Sequence, residues 1–263
     1  MRDIAELREI YDREHRFGGE FSGRQREVLA NLVRLTNKAE QDGFVIYSKL
    51  DETNADQVIR EQVEYYTDLG CDFEWKLFSH DTPPDLKERL AKHGFEIDED
   101  ETIMVLEISD APEKLTRPPA HDVRRVTELD QTKQVRALIE EVYGEDYAWL
   151  EEMLSGFLLK EPDNASIYMA YDQDRPIAAG WTFFNPPSPF AGLYGGATLE
   201  PYRGRGVYTA LVAARLQEAQ ARGFRFLTVD AGPMSRPILE NLGFQCIAIS
   251  NPCNFKVNKP SGK

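Results

Sequence analysis

The stretch Thr198-Leu199-Glu200-Pro201-Tyr202-Arg203-Gly204-Arg205-Gly206-Val207-Tyr208-Thr209 joins two unlike patterns. Before it, Phe190 to Leu199 is an apolar, β-prone run. After it, the run from Val207 to about Arg222 reads as a helix that Gly223 stops. The turn between them holds Pro201, then glycines at 204 and 206 interleaved with Arg203 and Arg205. A strand that ends in such a turn and feeds a helix N-terminus is suited to hold phosphate. Backbone N–H groups point at the anion, the helix dipole favours it, and glycine lets the backbone come close.

Two other phosphate loops fit less well. A nucleotide-triphosphate loop asks for Gly-Lys-Ser/Thr, but Val207-Tyr208 follows Gly206. A dinucleotide fingerprint asks for a third glycine where Thr209 stands, and for a parallel unit around it. Here Ser166 to Tyr171 and Pro176 to Phe184 are strands joined by the short polar turn Asp172 to Arg175, which is a hairpin. A bare glycine turn leaves the two arginines unexplained.

Working outward, the second half reads as a short strand Asp122–Val126, then a helix from about Asp130 with Val135, Leu138, Ile139 and Val142 in register. A second helix carries Leu150, Met153, Leu154, Phe157 and Leu158. The hairpin, the strand to Leu199, the glycine turn and its helix follow. A strand Phe224–Val229, a helix Ser235–Leu242 and one or two strands over Phe244–Val257 end the chain. In the first half, two helices are expected, one with Ile4, Leu7 and Tyr11 on a face, the other with Val28, Leu29, Leu32 and Val33. A buried strand Gly43–Leu50, a helix Asn54–Leu69, a strand Cys71–Phe78, a helix from Pro83-Pro84 to Gly94 and a hairpin over Phe95–Ile108 come next. Asp110 to Ala120, with three prolines, reads as the linker. The expected division is 1–109, a linker at 110–120, and 121–263.

The two halves repeat weakly. Strand, helix, Gly223, strand, Pro237-containing helix and Gly243-Phe244 match strand, helix, Gly70, strand, Pro84-containing helix and Gly94-Phe95. Lys49-Leu50-Asp51 falls where Thr198-Leu199-Glu200 falls. The Arg-Gly-Arg-Gly turn is replaced by Asp51-Glu52-Thr53-Asn54, which repels a pyrophosphate.

Composition narrows the function classes. A hydrophobic share of 41% is enough for a core, and a net charge of −14 argues against nonspecific binding to nucleic acid or anionic membrane. Cys71, Cys246 and Cys253 make no C-x-x-C pair, which suits a reducing cytosol and offers no disulfide framework. The N-terminus is too charged for a signal peptide, and no apolar run nears the ~20 residues of a membrane span. No histidine lies beyond His121, so neither a Ser-His-Asp triad nor a histidine metal site is expected within the second half.

On these residues the second half resembles the GCN5-related N-acetyltransferase (GNAT) superfamily, over roughly Pro119 to Val257. The family signature Arg/Gln-x-x-Gly-x-Gly/Ala, between its fourth strand and third helix, reads here Arg203-Gly204-Arg205-Gly206-Val207-Tyr208. Tyr208 stands where a small residue is usual. Leu239-Glu240-Asn241-Leu242-Gly243-Phe244 resembles the family's final helix and exit. The resemblance implies an α/β (α+β) fold with a mixed, mostly antiparallel central sheet flanked by helices. The repeat makes the first half a degenerate, partial copy, as in tandem GNAT proteins.

The resemblance further implies acetyl-CoA as cosubstrate, bound through Thr198, Leu199, Arg203, Gly204, Arg205, Gly206, Val207, Tyr208 and Thr209, with no metal. The reaction would be acetyl transfer to a small amine by direct attack, in the cytoplasm, without nucleic-acid or membrane partners. A protein or peptide amine as acceptor, or a non-catalytic acyl-CoA-binding protein, are the alternatives. An oxyanion donor is implied among the backbone N–H groups near Thr198 to Glu200. Glu200 is the candidate base, raised toward neutrality if partly buried. The tyrosine acid of many relatives falls at Leu239, and the asparagine that usually precedes it falls at Gly232. Ser235 and Tyr208 are the substitutes, the first also placed to cap its helix, the second to pack under the cofactor. Tyr143-Gly144-Glu145-Asp146-Tyr147-Ala148-Trp149 suits a cationic amine, and Trp181, Phe183 and Phe184 are candidate pocket walls.

Overall fold

In the computed structural model, which describes residues 2–257, the chain opens on helix α1 (Ile4–Ile10), continued by a π-helical stretch over Tyr11–Phe17. The expected second helix is not there. Its apolar residues lie instead on β1 (Gln25–Val28) and β2 (Leu32–Asn37), an antiparallel hairpin with Val28 opposite Val33. Two short arms joined by a tight turn bring apolar residues three and four apart, so the spacing mimics a helical face. β-Branched Val28, Val33 and Thr36 favour the pleated alternative. β3 (Asp42–Ser48) extends this meander. Helix α2 (Ala55–Leu69) ends at Gly70 with φ of 66°, the left-handed cap that glycine suits. β4 (Asp72–Phe78), α3 (Leu86–Lys92), β5 (Glu96–Ile97) and β6 (Glu101–Glu107) follow.

The second half carries α4 (Glu113–Thr116), β7 (Asp122–Arg125), α5 (Leu129–Tyr143), α6 (Ala148–Lys160), β8 (Ala165–Asp172), β9 (Arg175–Phe184) and β10 (Phe190–Thr198). After these come α7 (Val207–Ala221), β11 (Phe226–Ala231), α8 (Arg236–Asn241) and β12 (Gln245–Phe255). The helices and strands of the sequence reading from Asp122 onward are present in that order.

Two units divide the described residues, one of Met104–Gln245 and one of Arg2–Ile103 with residues 246–257. This differs from a break at 110–120. That segment is part of the C-terminal unit: it holds α4, its Leu115 is wholly buried in the core with Val212 and Leu216, and Gln217 Nε2 donates to Leu115 O at 3.1 Å. One buried leucine and a one-turn helix tie down a stretch whose prolines read as a spacer.

Within the N-terminal unit the sheet runs β1-β2-β3-β4-β12, antiparallel throughout except for the parallel β3–β4 pair that α2 connects. β5 pairs with β12, so the hairpin expected over Phe95–Ile108 does not form. Within the C-terminal unit the order is β7-β8-β9-β10-β11, then Met104–Glu107 of β6. It too is antiparallel from β7 to β10 and parallel between β10 and β11. Each unit therefore has a meander, a helix, a parallel strand and a second helix. Each closes its sheet with a strand from the other half of the sequence. The first half is a fuller copy than the sequence suggested, since β1 and β2 supply its opening strands.

The N-terminal core centres on Trp75, Tyr66, Phe73 and Phe95, with Tyr66 stacked on Phe73 at 4.2 Å. Beside it Arg16, 3% exposed, donates to Asp81 Oδ2 and Asp12 Oδ1 at 2.8 Å each and to Ile46 O at 3.0 Å. Asp81 is as deeply buried as Arg16. Replacing Arg16 by Leu strands that carboxylate, and urea denaturation should show a loss of about 3–5 kcal/mol. The double change Arg16→Leu with Asp81→Leu should recover part of it.

Candidate functional site

The site begins with a failure of pairing. β10 and β11 pair only over Phe190–Gly192 and Phe226–Thr228. Beyond these residues the two strands part, leaving an edge of β10 from Leu193 to Thr198 facing a gap. On its other side β10 stays on β9, but the register shifts between Tyr194 and Ala197, where Gly195 and Gly196 form a bulge. Gly195 has φ of +59°, and a Cβ there would lie 1.8 Å from Trp181 Cζ3, so only glycine fits. Thr198 Oγ1 on β10 and Thr228 Oγ1 on β11 are buried and have no hydrogen-bond partner among the described residues.

At the end of the gap stands the glycine turn. Gly204 and Gly206 have φ of +71° and +81°, and Gly206 caps α7. The first N–H of this helix to find a backbone acceptor is that of Ala210, which donates to Gly206 O at 3.0 Å. Among the described residues the N–H groups from Gly204 to Thr209 have no backbone partner. Among the described residues neither Arg203 nor Arg205 forms an ion pair. Arg203 Nε donates to Thr198 O at 3.1 Å, and the Arg205 guanidinium lies 5.6 Å from the Tyr202 ring centroid. His121 Nε2 donates to Arg205 O at 2.9 Å and pins the turn from outside, a role that sequence reading missed. Open amides, a helix N-terminus and two unpaired guanidinium groups form a cradle for a polyanion. The free edge of β10 suits an extended arm that carries amides. These residues therefore fit coenzyme A.

Around the bulge, α7 supplies a half-buried tyrosine and a buried arginine. Tyr208, in its first turn, packs against Gly196, where a Cβ would meet the ring at 2.6 Å. Burial raises the Tyr208 phenol above the usual tyrosine range, with the nearby Arg215 pulling the other way. Arg215 is 1% exposed, and burial pushes its guanidinium below the usual arginine range.

The other residues singled out in the sequence fall as follows. Glu200 is exposed in the turn Glu200–Tyr202, so it lacks the burial expected to prepare a base. Leu199 is buried, and its N–H is committed to Ile177 O at 2.9 Å, so it is no oxyanion donor. Ser235 Oγ donates to Gly232 O at 3.2 Å and does not cap α8. Leu239 is wholly buried in the core. Trp181 and Phe183 lie on the aromatic side of β9, where Phe183 meets Tyr194 at 5.1 Å and Phe157 at 4.8 Å. Phe184 points to the opposite face and packs on Phe224, so it walls no pocket with them. Beside the Tyr143–Trp149 segment, Arg136 pairs with Glu140, Asp146 and Glu151 at 2.7, 3.3 and 3.4 Å; one guanidinium against three carboxylates leaves this cluster negative.

The matching turn of the first half is filled by its own side chain. Asp51 Oδ1 accepts from Thr53 N at 2.8 Å, Thr53 Oγ1 at 2.6 Å and Asn54 N at 3.0 Å. The Thr53 hydroxyl, with these amides, holds the Asp51 carboxyl below the usual range. A fixed carboxylate sits where the other copy leaves its amides open. Among the described residues no three His, Cys, Asp or Glu side chains converge to hold a metal ion, and no helix is long and apolar enough to cross a membrane.

Residues 126–244, all within the C-terminal unit, match the model of the acetyltransferase (GNAT) family. The whole chain shares its fold with a GCN5-related N-acetyltransferase from Kribbella flavida, at 16% identity and a TM-score of 0.68, covering 100% of this chain and 97% of the other. A conserved protein of unknown function from Staphylococcus epidermidis ATCC 12228 gives 11%, 0.68, and 95% and 99%. A tandem GNAT protein from the clavulanic acid biosynthesis pathway gives 14%, 0.58, and 88% and 79%. No curated protein matches the chain significantly.

The environment of Tyr208 predicts a titration. The difference in ultraviolet absorbance between the native protein and Tyr208→Phe should show a phenol ionising above the usual tyrosine pKa of ~10. A difference curve centred at or below that value contradicts the burial.

Proposed function

We propose that this chain, whose residues 126–244 form a domain of the acetyltransferase (GNAT) family, is an acetyl-CoA-dependent N-acetyltransferase acting on a small amine in the cytoplasm. One observation carries the reading. The run of open amides from Gly204 to Thr209 stands beside unpaired Arg203 and Arg205 at the end of a gap in the sheet. Thr198, Arg203, Gly204, Arg205, Gly206, Val207, Tyr208 and Thr209 make up the cofactor site, with Leu199 as its buried floor.

The amine lone pair attacks the thioester carbon. A C–N bond forms, the carbonyl oxygen takes up negative charge, and the C–S bond breaks with its electron pair leaving on sulfur. The enzyme's share is alignment, stabilisation of that oxygen, and proton management. Tyr208 is the proposed acid for the departing thiolate: it flanks the bulge, and a phenol is protonated at neutral pH. The amine gives up its proton to Glu200 at the mouth or to bulk water. Phe157, Phe183, Tyr194 and Trp181 supply the acceptor wall.

A second reading, a non-catalytic acyl-CoA-binding protein, draws on buried Leu239 standing where an acid is usual. Release of free thiol from acetyl-CoA with a panel of amines separates the two, since the second reading predicts binding without release. Gly206→Val places a branched side chain at φ of +81°. Calorimetry should then find acetyl-CoA affinity down by about 100-fold or more, roughly the 2.7 kcal/mol of a strained backbone and lost amides. Unchanged affinity would remove the cradle. Tyr208→Phe should slow thiol release by about 10²-fold with affinity retained. Glu200→Gln should slow it only if Glu200 rather than water takes the proton.

A further inference from the structure

Arg215 sits mid-way along α7, 1% exposed, with no carboxylate in ion-pairing distance among the described residues. Its Nε donates to Leu211 O at 3.1 Å within the same helix. Its Nη1 donates to both Trp181 O and Tyr194 O, at 3.3 Å each. Its Nη2 is buried without a partner. Space for the guanidinium is made by Gly180, in the middle of β9, where a Cβ would lie 2.9 Å from Nη1. A buried cation with no counter-ion is costly, and an apolar side chain in its place would pack at less cost. Packing alone does not account for it.

We infer that Arg215 is a positioning residue for acyl transfer: it holds the Tyr194–Gly195 peptide with the Gly195 N–H aimed into the gap and strengthens that N–H as donor to the thioester carbonyl oxygen. The inference rests on the acetyl-CoA reading above. One guanidinium nitrogen reaches the carbonyl oxygens of β9 residue 181 and β10 residue 194, so both carbonyls point into the seam between these strands. A trans peptide sets its N–H opposite its C=O. The Gly195 N–H therefore points away from β9, toward the edge of β10 that β11 has left. A cation on the carbonyl oxygen draws electron density from the amide, and hydrogen bonds in series strengthen one another where water is excluded. The bulge lies three residues back from Thr198, about 10 Å along the strand, so an arm running from the cradle along β10 brings its end to this amide.

The test is the carbonyl stretch of acetyl-CoA, ¹³C-labelled at the thioester carbon and bound to the full chain, read by difference infrared spectroscopy. In the native protein the band should lie below its frequency in buffer. In Arg215→Gln it should return toward the buffer value while calorimetric affinity for acetyl-CoA is kept. Thiol release with an accepted amine should fall about 10- to 100-fold, a part of what a lost oxyanion donor costs. Arg215→Lys, which keeps the charge, should retain most of the shift; if the glutamine variant does not fold, Arg215→Met takes its place, and a full shift there overturns the inference. A native band at the buffer frequency, or a full shift in Arg215→Gln, overturns the inference while leaving acetyl-CoA binding in place. Absence of any acetyl-CoA binding by the native protein sinks the functional reading itself.

Discussion

The organisation of the C-terminal unit turns on two parallel strands that stay paired for three residues and then separate. Backbone N–H and C=O groups that leave a ladder still require partners. A closed sheet meets that requirement internally; a parted one passes it to whatever enters. The bulge at Gly195–Gly196 keeps β10 attached to β9 while its free edge turns to the gap. The turn that follows extends the same condition, since the amides from Gly204 to Thr209 come before the helix can bond to itself. The free edge and the open amides are continuous along the chain, which is why a single extended anionic ligand suits both.

The first half shows what happens when this condition is met from within. Its meander, helix, parallel strand and second helix repeat the same order, yet its turn holds Asp51 rather than arginine and glycine. The Asp51 carboxylate accepts from the amides of Thr53 and Asn54. The turn is thereby stabilised as a local cap, and its anion position is taken by a covalently fixed anion. Both charge and occupancy exclude phosphate from it. One architecture carries a binding turn and a purely structural one, and the difference is confined to a few residues.

How much of this could be read in advance followed the range of each interaction. The glycine turn, the stops at Gly70 and Gly223 and the element order from Asp122 onward are set by neighbours in sequence, and they read correctly. Val28 to Val33 did not, because a hairpin and a helical face share the spacing of apolar residues over so short a span. Glu200 is in reach of the site by sequence, but Leu199 takes the inward position and leaves it exposed. Phe183 and Phe184 look alike in a run of aromatics, yet strand alternation sends them to opposite faces. The Gly195-Gly196 doublet was a visible sign of a bulge. Arg215 gave no sign, because an arginine in a helix ordinarily faces water and its burial depends on Gly180, far back in the chain.

Electrostatics within the site are local rather than global. The chain carries a net charge of −14, so at long range its field opposes the approach of a polyanion such as the proposed cosubstrate. Binding must be supplied by groups that act at contact: oriented amides, a helix N-terminus, and the unpaired guanidinium groups of Arg203 and Arg205. Such groups are effective at a few ångströms and are screened little once water is displaced, whereas the repulsive field falls off within a Debye length of about 8 Å at physiological ionic strength. Salt therefore screens both, weakening the barrier to encounter more than the grip that follows. Arg215 carries the same logic furthest into the protein. Its charge is wholly buried, answered by backbone carbonyls rather than by a carboxylate, and so is least diminished where β10 turns its amide to the gap.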